Sequence, residues 1–300
     1  MGPGDQMEAT GPDYTLEVFM RRGPGGRRDR CLNDKKVLVI AVVLIAFGVM
    51  LITAALVSCV SPSAAVWARV SSLGIFSRQP VVVIDPGHGG IDGGAESAEG
   101  VCEKDINLSI SMMVRDILDE YDVKVLMTRQ DDKGLYTGVT GDGSANAKIK
   151  DKRSIRSLKT EDLTNRREMA DKIMPDAFVS IHLNSFKEDR TVFGAQTFYS
   201  DGATPEAGIL SRELGETIQG SLLLKIDNGN ERVALEKGDV LMLKRTEYPA
   251  VIVECGFLSN GMEAKLLEGY EYQRLLAEGV AGGIVNFLKL EKKIGVVRSG

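Results

Sequence analysis

The sequence predicts an α/β fold: a single twisted mixed sheet with helices on both faces, preceded by one transmembrane helix. Short apolar segments alternate with segments of helical periodicity between residues 81 and 290, which is typical of α/β layer folds. A separate apolar run lies near the N-terminus. Of the 300 residues, 43% are hydrophobic and 26% are charged, a composition that excludes a disordered chain or a polytopic membrane protein.

The transmembrane helix is predicted from the run Val37–Val57, which contains no charged residue. About twenty apolar residues in a helix span a bilayer core of roughly 30 Å. Lys and Arg residues are concentrated before this run, so we expect a cytoplasmic N-terminus and an exported remainder of the chain. Two alternatives stay open. Leu56-Val57-Ser58-Cys59 is similar to a lipobox, which would make Cys59 a lipidated N-terminus, and a signal peptide could be cleaved.

Composition along the chain predicts its division into segments. Residues 1–36, rich in Gly and Arg, are predicted to form a disordered cytoplasmic tail; 37–60 a transmembrane helix or uncleaved signal anchor; 61–79 a linker; 80–290 the globular domain; and 291–300 a C-terminal tail. The net charge of −5 argues against nucleic acid as a partner. The four cysteines form no C-x-x-C pair, so no zinc ribbon or disulfide framework is predicted.

Within the domain, strands are predicted where short apolar runs end at turn residues or polar residues. These runs are Val81–Asp85, Val123–Thr128, Ala177–Leu183, Gly194–Ser200 (nearer an edge of the sheet), Val240–Leu243 and Ala250–Glu254. Helices are predicted where apolar residues recur at intervals of three or four. These segments are Lys104–Glu120, Glu161–Met174, Pro205–Leu222 and Tyr270–Leu288. The polar stretch 130–160 is interpreted as a long loop.

The chain contains only two histidines, and both follow or end a predicted buried strand. His88 comes three residues after Asp85, and His182 lies at the carboxyl end of Ala177–Leu183. Functional groups gather at the carboxyl edge of open α/β sheets. Either histidine alone is compatible with a hydrogen-bonded core residue, but the two together favour a metal site.

Two acidic residues are candidates to complete that site. Glu103 directly precedes a predicted helix, where a favourable interaction with the helix dipole is the alternative interpretation. Glu254 ends an apolar strand, where a surface position at the strand end is the alternative. A carboxylate that closes a buried run is costly to ionise unless it faces a cation or a polar cleft.

Four motifs carry a resemblance to a known family: DPGHGG with His88, EKDINL with Glu103, SIHLN with His182 and VECGFLSN with Glu254. Over about residues 80–289 the chain resembles the zinc-dependent N-acetylmuramoyl-L-alanine amidases of the third amidase family. The segments GAQTFY, LMLK and EDLTNR are most similar to the germination-specific, CwlD-type spore-cortex amidases. Cys255, where Val is more usual, and polar inserts in the loop 130–160 depart from the family pattern.

The resemblance implies a role for each motif. His88, Glu103 and His182 would bind Zn²⁺, and Glu254 would be the catalytic carboxylate that moves a proton from water to the leaving amine. The bond cut would be the amide between the lactyl group of muramic acid and L-alanine of the peptidoglycan stem peptide, in spore cortex maturation or germination. Asp85 and Asn184 are candidates to anchor the second nitrogen of a ligating histidine, and for Asp85 capping of the Pro-Gly turn is an equal alternative.

Further expectations follow from the resemblance. The enzyme would be anchored in the membrane by its N-terminal helix, with the catalytic domain outside the cytoplasm, in the cell envelope or the spore intermembrane space. Peptidoglycan is the expected partner, and the sequence does not identify an activator protein.

The basic stretch from Lys148 to Lys159 is interpreted as a solvated face, with binding of stem-peptide carboxylates as the alternative. Cys102 and Cys255, each beside a candidate acid, are expected to stay unpaired.

Other functions remain as competing hypotheses. Another zinc hydrolase of the cell wall, such as a peptidase or deacetylase, could share the same scaffold. A non-catalytic wall-binding module is disfavoured because it would have no need of Glu254.

Overall fold

The computed structural model describes residues 78–137, 139–140, 148–149 and 154–291, and three isolated helical residues at 39, 42 and 45. The tail predicted at 1–36, the linker up to residue 77 and the C-terminal residues 292–300 lie outside the described residues. The apolar run predicted to span a membrane also lies outside them, apart from those three positions. No helix among the described residues is both long enough and apolar enough to span a bilayer.

The described part of the domain contains five helices and eight strands. The helices are α1 (Glu103–Leu118), α2 (Ile155–Ile173), α3 (Pro205–Ile226), α4 (Gly261–Leu267) and α5 (Tyr270–Leu290). The strands are β1 (Val81–Pro86), β2 (Lys124–Met127), β3 (Val139–Thr140), β4 (Lys148–Ile149), β5 (Ala177–Asn184), β6 (Gln196–Tyr199), β7 (Leu235–Glu236) and β8 (Ala250–Phe257).

Six of these strands form one mixed sheet in the order β2-β1-β5-β8-β6-β7. Strands β2, β1, β5 and β8 are parallel, and β6 runs antiparallel to β8. The three central strands are buried on both faces, which explains why their sequences are continuous apolar runs rather than alternating ones. The predicted mixed sheet is confirmed, and the carboxyl ends of its four parallel strands lie at one edge.

Helices cover both faces of the sheet. On one face, side chains of α1, α3 and α5 pack against alternate residues of the central strands such as Val82 and Val179. On the other face, the intervening residues Val83 and Phe178 pack with α2 and with the segment 240–248. This alternation is the period of two that strand geometry dictates.

The predicted strand Val240–Leu243 is wrong, because this segment forms a turn. Its carbonyl groups accept hydrogen bonds from side chains instead of from a neighbouring strand. The Arg167 guanidinium donates to the carbonyl oxygens of Leu241 (3.0 Å) and Lys244 (2.8 Å), and the Ser200 hydroxyl donates to that of Leu243. Met242 and Leu243 are buried against the sheet, so the sequence shows the apolar residues of a strand although the backbone forms none.

Helix α2 begins six residues earlier than predicted, at Ile155, so the loop 130–160 is shorter than expected. The hydroxyl of Ser154 accepts a hydrogen bond from the backbone N–H of Ser157 (3.2 Å) and caps the helix. Leu158 is fully buried in the added turns. Strand β7 and helix α4 were not predicted, since two and seven residues are too few to show a period.

Candidate metal centre

The carboxyl edge of the sheet brings the four candidate residues together. His182 lies near the end of β5, and Glu254 is its register partner on the adjacent parallel strand β8. His88 follows β1 by two residues, and Glu103 is the first residue of α1. Strands that are parallel and adjacent end side by side, so residues far apart in the sequence meet here.

The two imidazoles and the Glu103 carboxylate form a compact cluster. Glu103 Oε1 lies 3.2 Å from His88 Nε2 and 3.0 Å from His182 Nδ1, and the ring centroids are 4.9 Å apart. One ligand atom from each residue lies within 4.8 Å of the other two. Ligands that bind Zn²⁺ tetrahedrally at about 2.0 Å lie roughly 3.3 Å from one another. The three side chains therefore fit a metal ion of this size and coordination.

The Glu103 carboxylate is oriented by three further donors. The backbone N–H of Ala95 donates to Oε2 (2.9 Å), and that of Leu183 donates to Oε1 (3.0 Å). The amide of Asn107, one turn further along α1, also donates to Oε1 (3.1 Å). Burial alone would raise the pKa of Glu103, but hydrogen bonds and the nearby histidines hold it well below its usual range. Glu103 is therefore a fixed anion.

Sequence reasoning missed Asp92, which holds the other nitrogen of His88. Asp92 Oδ2 lies 2.9 Å from His88 Nδ1, and Asp92 Oδ1 lies 2.6 Å from Lys159 Nζ. Burial alone would lower the pKa of His88, but Asp92 and Glu103 outweigh it and raise the pKa to about 9 in the metal-free protein. Lys159, from the stretch interpreted as a solvated basic face, thus has a defined partner beside the site.

The loop that carries His88 is held by buried cations. His88 has a left-handed backbone, with φ of 60°, which a non-glycine residue seldom adopts. Its carbonyl oxygen accepts a hydrogen bond from Arg166 (2.6 Å), and the carbonyl oxygen of Gly87 accepts one from Arg129 (2.9 Å). Position 87 also requires glycine, because a side chain there would collide with His182. A Cβ atom at this position would lie 2.3 Å from the imidazole of His182.

Glu254 lies beside the cluster with part of its carboxylate unpaired. Its Oε2 atom is buried and has no hydrogen-bond partner among the described residues. Burial raises the pKa of Glu254, although the neighbouring His182 counteracts this in part. A buried carboxyl with a free oxygen next to a metal-binding cluster can accept a proton from a polar molecule bound there.

The two predicted histidine anchors, Asp85 and Asn184, bind other groups. Asp85 accepts hydrogen bonds from Arg166 (2.7 Å), Thr128 (2.5 Å) and Ser180 (2.6 Å) instead of from an imidazole. Asn184 Oδ1 accepts from the backbone N–H of the next residue (2.8 Å). The prediction was wrong because a position at a strand end does not determine the face to which a side chain points.

Both cysteines near the site are free thiols. Cys102 is half-buried at the N-cap of α1, and Cys255 is fully buried. Burial raises the pKa of the Cys255 thiol well above its usual range, so this side chain is a neutral core residue.

An α/β sheet with a His-Glu-His cluster and an adjacent carboxyl group at its carboxyl edge is typical of metal-dependent hydrolases. Residues 82–286 match the model of the N-acetylmuramoyl-L-alanine amidase family, and the chain belongs to this family. Its reaction is hydrolysis of the amide that joins muramic acid to L-alanine in peptidoglycan.

Similar proteins support a spore-related member of the family. The germination-specific N-acetylmuramoyl-L-alanine amidase of Bacillus subtilis is 32% identical over 207 residues, which cover 69% of this chain and 79% of that protein. The CwlD amidase of Clostridioides difficile, solved in complex with the GerS lipoprotein, is 36% identical with a TM-score of 0.62. That match covers 70% of this chain and 99% of the other. The predicted resemblance to CwlD-type amidases is confirmed.

Proposed function

We propose that this amidase binds Zn²⁺ through His88, Glu103 and His182, and that Glu254 is its catalytic carboxylate. The observation that carries the proposal is the convergence of ligand atoms from three separate segments to within 4.8 Å of one another. Two imidazoles and one carboxylate are a ligand set of catalytic zinc sites, which leave a position open for substrate or water.

The bound ion would polarise the scissile carbonyl group and lower the pKa of the attacking water. The protein residues supply the rest of the chemistry. Glu103, held as an anion by its hydrogen bonds, contributes the negative charge of the ligand set. Asp92 keeps the imidazole of His88 oriented through Nδ1.

In this proposal Glu254 moves the proton. Its buried and unpaired Oε2 accepts a proton from the attacking water as the oxygen adds to the lactyl carbonyl carbon. The same carboxyl group then donates the proton to the nitrogen of L-alanine as the amide bond breaks. The products are a peptide-free muramic acid and a peptide with an N-terminal L-alanine.

The cellular role that we propose is cortex maturation or germination, on the extracytoplasmic side of the membrane; one relative named above is a germination-specific amidase. The apolar run at 37–60 is proposed as the anchor, with lipidation at Cys59 as the alternative, and residues 80–290 as the catalytic domain. The CwlD relative was solved with a lipoprotein, so a lipoprotein is the first protein partner to test with this chain.

The test combines metal analysis with product analysis. The purified protein should contain one zinc ion per chain and release peptides with N-terminal L-alanine from muropeptides. Glu254→Gln should retain zinc but lose turnover by roughly 10²–10⁴-fold, the contribution typical of a general base. Glu120→Gln, at an exposed position after α1, is the matched control and should keep full activity.

Two outcomes would contradict the proposal. Release of free amino acids or of acetate instead of the peptide would show that the substrate bond is wrong. Full activity of Glu254→Gln would remove Glu254 from the mechanism, even with the zinc site intact.

A further inference from the structure

Residues 89–92 form a tight turn that brings Asp92 back onto His88. The backbone N–H of Gly89 donates to the carbonyl oxygen of Asp92 (2.9 Å), and the N–H of Asp92 donates to that of Gly89 (3.1 Å). Gly90, the first of the two central residues, has a φ of 60°, which two-residue hairpin turns require at this position. Because Gly89 directly follows His88, the shape of the turn determines where the Asp92 carboxylate lies relative to the imidazole.

The tip of this turn is held by side chains from other parts of the chain. Its central peptide group joins Gly90 to Ile91. The carbonyl oxygen of Gly90 accepts a hydrogen bond from Lys104 Nζ (3.0 Å), and the N–H of Ile91 donates to the hydroxyl of Tyr136 (2.9 Å). The central peptide group is therefore bound on both sides, and its orientation is fixed.

Asp132 holds the preceding peptide group of the turn. Its Oδ1 atom accepts a hydrogen bond from the N–H of Gly90 (2.8 Å), and its Oδ2 atom lies 2.6 Å from Nζ of the buried Lys104. Asp132 and Tyr136 belong to one short stretch after β2, residues 132–136, which we call the support segment. The support segment thus contacts two consecutive N–H groups of the turn.

The support segment is itself anchored on α2. The N–H of Leu135 donates to the carboxylate of Asp162, and the side-chain amide of Asn165 donates to the carbonyl oxygen of Leu135. These contacts lie next to Tyr136 in the chain. A hydroxyl group on a backbone that is already fixed loses little entropy when it binds the turn, so Tyr136 is suited to hold it in one conformation.

We propose that Tyr136 is a positioning residue for the metal centre, which acts by holding the turn that aims Asp92 at His88. This inference rests on the proposed function, in which His88 binds Zn²⁺. Without the Tyr136 hydroxyl, the turn samples further conformations in the metal-free protein. The apparent affinity for a metal ion then falls with the fraction of molecules in the binding-competent conformation. Because Tyr136 contacts the turn at Ile91, its effect on His88 passes through Asp92.

Zinc affinity of the full chain, measured by competition with a chelating dye, tests this role independently of turnover. Tyr136→Phe removes the acceptor oxygen and keeps the ring. We expect the zinc affinity to fall by about 3–10-fold, the factor that one hydrogen bond typically contributes. Tyr121→Phe is the matched control and should keep the affinity. Tyr121 is also half-buried, but it follows the C-terminal end of α1, whereas Glu103 is the first residue of that helix.

A double-mutant cycle with Asp92→Asn separates a positioning role from a merely structural one. In a protein that already carries Asp92→Asn, the turn has no carboxylate to aim at His88. Tyr136→Phe should therefore lower the zinc affinity no further in that protein. A merely structural role would lower the affinity by the same factor with and without the Asp92 carboxylate.

The possible results distinguish this inference from the proposed function. If the unmodified protein binds no zinc at the cluster, the proposed function fails and the inference fails with it. If it binds zinc and Tyr136→Phe leaves the affinity unchanged, or lowers it equally in the Asp92→Asn protein, only the positioning role is wrong. Thermal unfolding of the metal-free variants identifies a folding defect. Asp132→Asn, which loosens the same turn through Gly90, is the second variant and should show the same dependence on Asp92.

Discussion

The imidazole of His88 is held at both nitrogens, and the two contacts have different consequences. Nδ1 lies 2.9 Å from Asp92, an anionic acceptor that favours the tautomer with the proton on Nδ1. Nε2 faces Glu103 (3.2 Å) and would bind a metal ion there after loss of its proton. Asp92 is itself paired with Lys159, which is not one of the clustered residues. This ion pair holds the Asp92 carboxylate in place, and the carboxylate in turn holds the orientation of the His88 ring.

We predict that Asp92→Asn weakens zinc binding by about 10–100-fold, the effect typical of losing such an anchor. Asparagine can present its amide group to His88 and no longer selects the tautomer. Zinc affinity, measured by competition with a chelating dye, is the readout, and it does not depend on turnover. Asp122→Asn, at an exposed position after α1, is the matched control. Unchanged affinity in Asp92→Asn would contradict a positioning role.

At the residue scale, sequence motifs named the three clustered residues and Glu254, because each motif lies where a strand ends or a helix begins. Asp92 was missed, since its glycine-rich surroundings resemble an ordinary turn. The one available signal was its spacing of four residues from His88. The left-handed backbone of His88 and the contacts of Asp85 depend on tertiary structure, which local sequence does not encode.

The buried stripe of helix α2 contains two charged residues, Asp162 and Arg166, between the apolar residues Leu158 and Ala170. Arg166 is fully buried, and its guanidinium lies 2.7 Å from Asp85 on β1 and 2.8 Å from Asp162 on α2 itself. The same side chain holds the carbonyl oxygen of His88. This network joins the helix, strand β1 and the site loop, and its one cation, Arg166, lies between two carboxylates.

The network predicts a pH dependence of stability. Burial alone would raise the pKa of Asp85, but Arg166 and hydrogen bonds from Ser180 and Thr128 hold it below its usual range. A lowered pKa in the folded state stabilises the protein above about pH 4, and this contribution is lost as the pH falls through the folded value. We expect Asp85→Asn to reduce the free energy of unfolding by about 1–3 kcal/mol at pH 7.

Urea unfolding at pH 7 and at pH 3 tests this prediction. The difference in unfolding free energy between the unmodified protein and Asp85→Asn should narrow at pH 3, where the ionised carboxylate no longer contributes fully. Asp122→Asn serves again as the control and should follow the unmodified protein at both pH values. A difference that is equal at both pH values would mean that the charge of Asp85 does not stabilise the fold.

At the element scale, the sequence predicted the central strands well because burial on both faces leaves an unmistakable apolar run. The same criterion failed at Val240–Leu243, where only Met242 and Leu243 are buried and where Arg167 and Ser200 bind the carbonyl groups. Short elements were missed for a different reason. Strand β7 exists through pairing with β6, and a partner across space leaves no local pattern.

For the molecule as a whole, the cluster links parts of the chain that are distant in sequence. From His88 to His182 the polypeptide passes through α1, β2, β3, β4 and α2 and enters β5 before the ligands meet. In the unfolded chain these ligands are dispersed, so a metal ion bound at the cluster stabilises the folded state specifically. Metal binding and folding are therefore expected to be coupled.

This coupling predicts a loss of thermal stability on metal removal. With free zinc at 100 times its Kd, binding contributes about 2.7 kcal/mol to folding. In a domain of this size, such a change shifts Tm by about 5–10 °C. Thermal unfolding with excess zinc and after chelation measures this shift. His182→Ala removes one ligand and should show little difference between the two conditions, which separates binding at the cluster from zinc bound elsewhere. An equal shift in His182→Ala, or no shift in the unmodified protein, would contradict a zinc site at the cluster.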